Sequence, residues 1–128
     1  MDLLLDTHAL LWALADDTKL GKARSAVADR RNRVYVSAAS GWEIVIKVGL
    51  GKLMLPPDLG TWLPSEIAAA QFSSLPIDLR HALAVEQLPR HHADPFDRIL
   101  IAQATIQGLT IVTADQQFEQ YAVRLLRC

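Results

Sequence analysis

DPFDRILIAQATIQGLTIVTAD, residues 94–115, contains a helix start, a helix body, a helix stop and a buried strand in one uninterrupted run. Asp94 has the side chain of an N-cap, accepting from the free N–H groups of a first turn. Pro95 has the φ that a first helical residue needs and no N–H to leave unpaired, and Gly108 sits just past the last turn. The segment predicts a helix over Asp94–Gln107 and a buried strand over Leu109–Thr113. Two acids stand at its ends: Asp97 in the first helical turn and Asp115 directly after the strand.

Outward from this segment, the same alternation repeats. Leu3–Leu5 is a short apolar run closed by Asp6 and reads as a strand, followed by helical spacing over Thr7–Ala15 through Leu10, Leu11 and Leu14. A helix is expected over Lys19–Asp29, a strand over Arg33–Ser37 and a helix over Ser40–Val48, stopped by Gly49 and Gly51. After the break at Pro56-Pro57, a helix should run from Asp58 or Leu59 to Ala70, a short strand should lie within Phe72–Ile77, and a helix should span Leu79–Gln87. A short helix over Gln116–Tyr121 and a strand over Val123–Leu126 close the chain. Strands alternating with helices imply an α/β fold, a three-layer α/β/α sandwich with a mainly parallel sheet, formed by residues 1–128 as one domain. Ligands of such sheets bind beyond the carboxyl ends of the strands.

Half of the 128 residues are hydrophobic, which is enough for a buried core and excludes disorder. Thirteen Lys and Arg against fourteen Asp and Glu give a formal net charge of −1, so no global field draws nucleic acid in; any such binding needs a local basic patch or bound cations. A lone Cys128 cannot form an internal disulfide, which implies a reducing, cytoplasmic setting. The apolar start carries Asp2 and Asp6 without a basic flank, so neither a membrane span nor a secretion signal is expected.

Asp6 and Asp115 follow strands, Glu43 lies one turn into the helix after a strand, and Asp97 opens the helix that leads into another. Right-handed crossovers bring these positions to one edge of the sheet. Each acid also has a plain structural reading, with Asp6 or Thr7 as a helix cap, Ser40 and Glu43 as a capping box, Asp97 in a favourable helix dipole and Asp115 as another cap. Both readings stand for any single acid. For the set, two carboxylates about 4 Å apart repel by about 4 kcal/mol at an effective dielectric of about 20, so several together need a proton or a cation. Oxygen donors without a Cys or His pattern favour Mg²⁺ or Mn²⁺ over Zn²⁺.

The stretches LLLDTHALLWAL (3–14), VSAASGWEIVIKVGLGKL (36–53) and HHADPFDRILIAQATIQGLTIVTAD (91–115) resemble the PIN-domain family, and more narrowly the VapC-type toxins of bacterial toxin–antitoxin pairs. The resemblance implies a metal-dependent endoribonuclease with Mg²⁺ or Mn²⁺ as cofactor, RNA as substrate, a small antitoxin that blocks the site, and a homodimer. Carried over by position, Asp6, Glu43, Asp97 and Asp115 match the four family acids in order. Asp6 and Asp97 rank first as metal ligands, Glu43 binds through water or helps to activate the attacking water, and Asp115 supports.

Thr7 and Thr113 are placed to hydrogen-bond the ligating carboxylates or to cap. Arg98 could contact phosphate, hold a carboxylate or form an ordinary ion pair, and His91 and His92 read as a solvated loop. His8 reads as packing locally, and Trp12, Trp42 and Trp62 read as core residues, with Trp12, Leu11 and Leu14 alternatively lining a groove for a protein partner. Lys47 and Lys52 are solvated lysines or an RNA-facing edge. Two other functions compete: a Mg²⁺-binding phosphoacceptor domain, which wants an acid pair after the first strand and a late Lys absent from TAD, and a non-catalytic protein-binding module that keeps the acids as caps.

Overall fold

Leu3, Leu4 and Leu5 are wholly buried because their strand lies in the middle of a sheet. In the computed structural model, which describes residues 1–128, β1 (Asp2–Leu5) pairs in parallel with β2 (Arg33–Ser37) on one side and with β4 (Thr110–Thr113) on the other. β3 (Ser73–Leu75) extends the sheet beyond β2, and β5 (Leu125–Arg127) extends it beyond β4. The order is β3-β2-β1-β4-β5 with every pairing parallel. The chain works outward from β1 to β3 and then resumes on the other side at β4. That reversal opens a crevice beyond the carboxyl ends of β1 and β4.

Alternate strand residues face opposite sides, which divides the core in two. Leu3, Leu5, Val34, Val36 and Val112 pack against Ala9 and Leu10 of α1 (Thr7–Leu14), Val27 of α2 (Arg24–Ala28), Ile44 of α3 (Ala38–Gly49) and Leu63 of α4 (Leu59–Ala69). Leu4 and Ile111 pack on the other face against Leu100, Ile101 and Ala104 of α6 (Pro95–Gln107), with Phe118 and Tyr121. α5 (Leu79–Ala84) lies beside α6, held by the hydrogen bond from buried His81 Nε2 to Gln107 Oε1 at 2.8 Å. This is the expected three-layer α/β/α sandwich, and no helix is long and apolar enough to cross a membrane.

Residues 94–115 fold as expected. Asp94 Oδ1 accepts from Phe96 N at 2.8 Å and Asp97 N at 3.3 Å, and Gly108 closes α6 in the left-handed region at φ 68°. Three helices differ. The helix expected over Lys19–Asp29 is a 3₁₀ stretch, Thr18–Ala23, followed by the short α2, because Gly21 takes φ 57° and ψ −136° and breaks the run. The helix expected over Leu79–Gln87 is α5 running into a 3₁₀ turn at Val85–Gln87. α3 starts at Ala38 rather than Ser40, since Ser37 Oγ accepts from Ala39 N at 3.0 Å and is the cap; the expected Ser40–Glu43 capping box does not form. The last strand lies at Leu125–Arg127, past the expected Val123 start.

Candidate active site

Asp6 leaves β1 and turns the chain into α1, its Oδ1 accepting from Ala9 N at 2.8 Å. Its backbone N–H still donates to Val112 O of β4 at 3.1 Å, so this carboxylate is fixed at the seam between the two central strands. Only 4% of the residue is exposed. Burial pushes its carboxyl above the usual carboxylate range, while the Thr113 hydroxyl, the Ala9 N–H and the charge of His8 pull it back and the charge of Asp115 adds to the rise.

Asp97, in the first turn of α6, is raised further, to about 8. Burial is the main cause, and the negative charges of Asp94, Asp6, Glu43 and Asp115 add to it in that order. All four expected acids therefore share one electrostatic neighbourhood at the carboxyl edge of the sheet. Asp115 follows β4, caps the 3₁₀ turn Gln116–Gln120 through Oδ1 to Gln117 N at 2.9 Å, and has its own N–H on Thr113 Oγ1 at 2.9 Å. Its Oδ2 and Asp97 Oδ2 meet at one ring nitrogen of His92: Nε2 is hydrogen-bonded to Asp115 Oδ2 at 3.1 Å and lies 2.8 Å from Asp97 Oδ2.

Glu43 stands slightly apart. The Thr7 hydroxyl donates to its Oε1 at 2.6 Å and lies 3.1 Å from Ser40 Oγ, and Lys47 Nζ meets its Oε2 at 2.7 Å. Both oxygens are thus held, although the charge reaches Asp97. Lys47 is neither a free solvated lysine nor an open RNA-facing one; its partnership with Glu43 raises its pKa.

Other sequence readings need correction. His92 is not part of a solvated loop: it is 8% exposed and inserted among the acids. Its partners at 97, 115 and 121 come together only in the folded chain, so no local pattern marked it. Arg98 holds no carboxylate and forms no ion pair. Its guanidinium donates to the carbonyl oxygens of Val85, Leu88, Pro89 and His92 and to the Tyr121 hydroxyl, binding the 85–92 segment to α6. Trp42 is no core residue; it is 63% exposed and packs edge-on against Phe96 with ring centroids 5.3 Å apart. Trp12 and Trp62 pack at the margin of the core and, with Leu11, Leu14, Leu53 and Leu55, line an apolar cleft of about 340 Å³. His8 packs locally, tilted against Trp12. Buried Gln103, unremarked in the sequence, accepts from Ser37 Oγ at 2.6 Å and donates to Pro76 O at 3.2 Å, tying α6 to the end of β2.

The donor set suits a hard divalent cation. Ligand atoms of His92, Asp97 and Asp115 lie within 4.8 Å of one another, the charge of Asp6 reaches Asp97, and the upward push on Asp97 is what a bound cation would relieve.

Several known proteins are similar to this chain in sequence or fold. Ribonuclease VapC16 of Mycobacterium tuberculosis is 37% identical over 62 residues, a match spanning 48% of this chain and 44% of that protein's length. Ribonuclease VapC22 of the same organism is 26% identical over 119 residues, spanning 92% of this chain and 90% of the relative. VapBC2 from Rickettsia felis, solved bound to a promoter DNA fragment, has a chain that superposes with a TM-score of 0.73 at 13% identity, covering 99% of this chain and 98% of that one, a likeness of fold. The PIN domain model matches residues 3–124, from the first buried leucine to the approach to β5, and the chain belongs to the PIN domain family.

Proposed function

We propose that this protein is an endoribonuclease dependent on Mg²⁺ or Mn²⁺ and the toxin half of a toxin–antitoxin pair. The observation that carries the reading is the meeting of Asp97 and Asp115 at the switch point between β1 and β4, with Asp6 and Glu43 close enough to raise Asp97. The ribonuclease names of the Mycobacterium tuberculosis relatives and the resemblance to VapC-type toxins support RNA as the substrate.

A divalent cation held there supplies charge neutralisation at a phosphodiester and lowers the pKa of a water. The chain's part is to hold the acids. Asp6 and Asp97 present oxygens to the cation, and Asp115 completes that side. Glu43, its two oxygens held by Thr7 and Lys47, would bind the cation through water or help to activate the attacking water. Thr113 steadies Asp6 through its hydroxyl and accepts the Asp115 N–H. With a cation held by Asp6, Asp97 and Asp115, this acidic pocket would accept a phosphate backbone despite the near-zero net charge. The partners are RNA, a small antitoxin and a second copy of the chain. The apolar cleft at Trp12 and the exposed Trp42, Val45, Leu50, Leu79 and Leu83 are surface suited to protein partners.

Purified protein should cleave RNA with Mg²⁺ or Mn²⁺ and lose the activity in EDTA, leaving 5′-phosphate and 3′-hydroxyl ends. Asp97→Asn should reduce cleavage by at least about 100-fold, the scale of losing a group that acts in the transition state. Cleavage that survives EDTA, or a 2′,3′-cyclic phosphate product, would overturn the reading.

A further inference from the structure

His92 has no part in the chemistry described so far, yet it occupies the centre of the acidic cluster. Its ring is fixed from several sides. Its backbone N–H donates to the Tyr121 hydroxyl at 2.9 Å, and that hydroxyl donates to Pro89 O at 2.9 Å. Phe118 meets the ring edge-on at a centroid distance of 5.8 Å. Arg98 gathers the carbonyl oxygens of the segment that carries it.

These contacts also settle which nitrogen carries the proton. Nδ1 lies 3.2 Å from the Asp94 backbone N, an obligatory donor, so Nδ1 must be the bare acceptor. The proton of a neutral ring is then on Nε2, which faces Asp97 Oδ2 at 2.8 Å and Asp115 Oδ2 at 3.1 Å. A protonated ring nitrogen has no lone pair for a metal. Only the opposite tautomer would free Nε2, and it would set an Nδ1–H against the Asp94 N–H.

We infer that His92 is a positioning residue that holds Asp115 through Nε2–H, sets Asp97 Oδ2 against the same ring nitrogen, aims their remaining oxygens at the divalent cation, and stays outside the cation's ligand shell. One carboxylate comes from the start of α6 and the other from just past β4, and once both are ionised to hold a cation no direct hydrogen bond can join them. The Nε2–H donates to Asp115 Oδ2, and the same nitrogen lies 2.8 Å from Asp97 Oδ2. Asp94 has a double part, capping α6 through its side chain and selecting the His92 tautomer through its backbone N–H. This inference rests on the metal-site reading above.

The test is calorimetric titration of the whole protein with Mn²⁺, together with pulsed electron paramagnetic resonance of the bound ion. Wild type should bind Mn²⁺ without nitrogen coupling from a directly ligated imidazole. His92→Ala should bind roughly 10–100-fold more weakly, the usual cost of losing a group that orients a ligand. His92→Gln, whose amide N–H can span the same gap, should recover most of that loss, which a merely structural role would not require. Wild-type affinity in His92→Ala, or directly coordinated ¹⁴N in the Mn²⁺ spectrum, would overturn the inference while leaving the metal site intact. Failure of wild type to bind Mn²⁺ would overturn the metal-site reading and this inference with it. Should His92→Ala fold poorly by circular dichroism, wild-type affinity regained by His92→Gln supports the clamp, and directly coordinated ¹⁴N still overturns it.

Discussion

At Thr7 one hydroxyl serves both fold and site. It donates to Glu43 Oε1 at 2.6 Å while α1 packs its neighbours Ala9 and Leu10 into the core. Thr7→Val keeps the shape and removes the donor, leaving a carboxylate oxygen buried without it. The expected cost is about 1–3 kcal/mol, read as a lower midpoint in thermal or urea unfolding, with Thr7→Ser much milder. Asp97 makes a second prediction. Its carboxyl stands near 3.8 in the unfolded chain and about 8 in the folded one. An acid raised on folding holds its proton more tightly in the native state, so protonation favours that state. Without metal, its contribution is full below about pH 4 and disappears as pH climbs to about 8, with a slope of at most about 1.4 kcal/mol per pH unit. Denaturation of EDTA-treated protein should therefore show stability falling over that window, and the fall should be shallower in Asp97→Asn. At this scale the sequence disclosed the acids, because residue type and position after a strand are local facts. It could not disclose His92 or the true partners of Arg98, whose contacts reach across 23 residues to Asp115 and to Tyr121.

Among the elements, those with chemical punctuation were legible. α6 has its Asp94 cap, its Pro95 and its Gly108 stop, and it occupies the expected span. β1, β2 and β4 were likewise visible as short apolar or β-branched runs. The misreadings arose where tertiary contacts chose between local options. Gly21 breaks the helix with a left-handed φ, and its missing side chain lets Cys128 approach: a Cβ on Gly21 would lie 3.2 Å from the Cys128 carbonyl carbon. Gly21→Ala should cost about 1–3 kcal/mol through strained backbone and that contact. Gly41→Ala, inside α3 with ordinary φ and open space around it, should instead raise the unfolding midpoint, by about 0.5–1 kcal/mol. Matched denaturant curves for the two variants check both signs. Trp42 was misplaced for a related reason: a helix pattern shows that a side chain is apolar, and only the assembled layers show which side has no partner.

For the whole molecule, the site sets function against stability. Sheet order brings acids from β1, α6 and β4 to one seam, and their mutual repulsion and burial are costs the metal-free fold bears. A cation that binds only the folded chain returns free energy by mass action, about 2.7 kcal/mol at a hundred times its Kd. For a domain of this size that corresponds to a rise in unfolding midpoint of roughly 10 °C. Asp97→Asn should uncouple the two effects. Removing the most strongly raised carboxyl relieves the repulsion, so the metal-free variant should melt above metal-free wild type at pH 8. Losing a ligand removes the mass-action gain, so Mn²⁺ should move the variant little while it moves wild type by the full amount. Melting curves of both proteins, with EDTA and with Mn²⁺, give the four values needed. Should Asp97→Asn melt lower without metal and keep the full Mn²⁺ increment, Asp97 would be an ordinary structural acid. The crossing of the two proteins' stabilities on adding metal is what separates a site built for a cation from a cluster of helix caps.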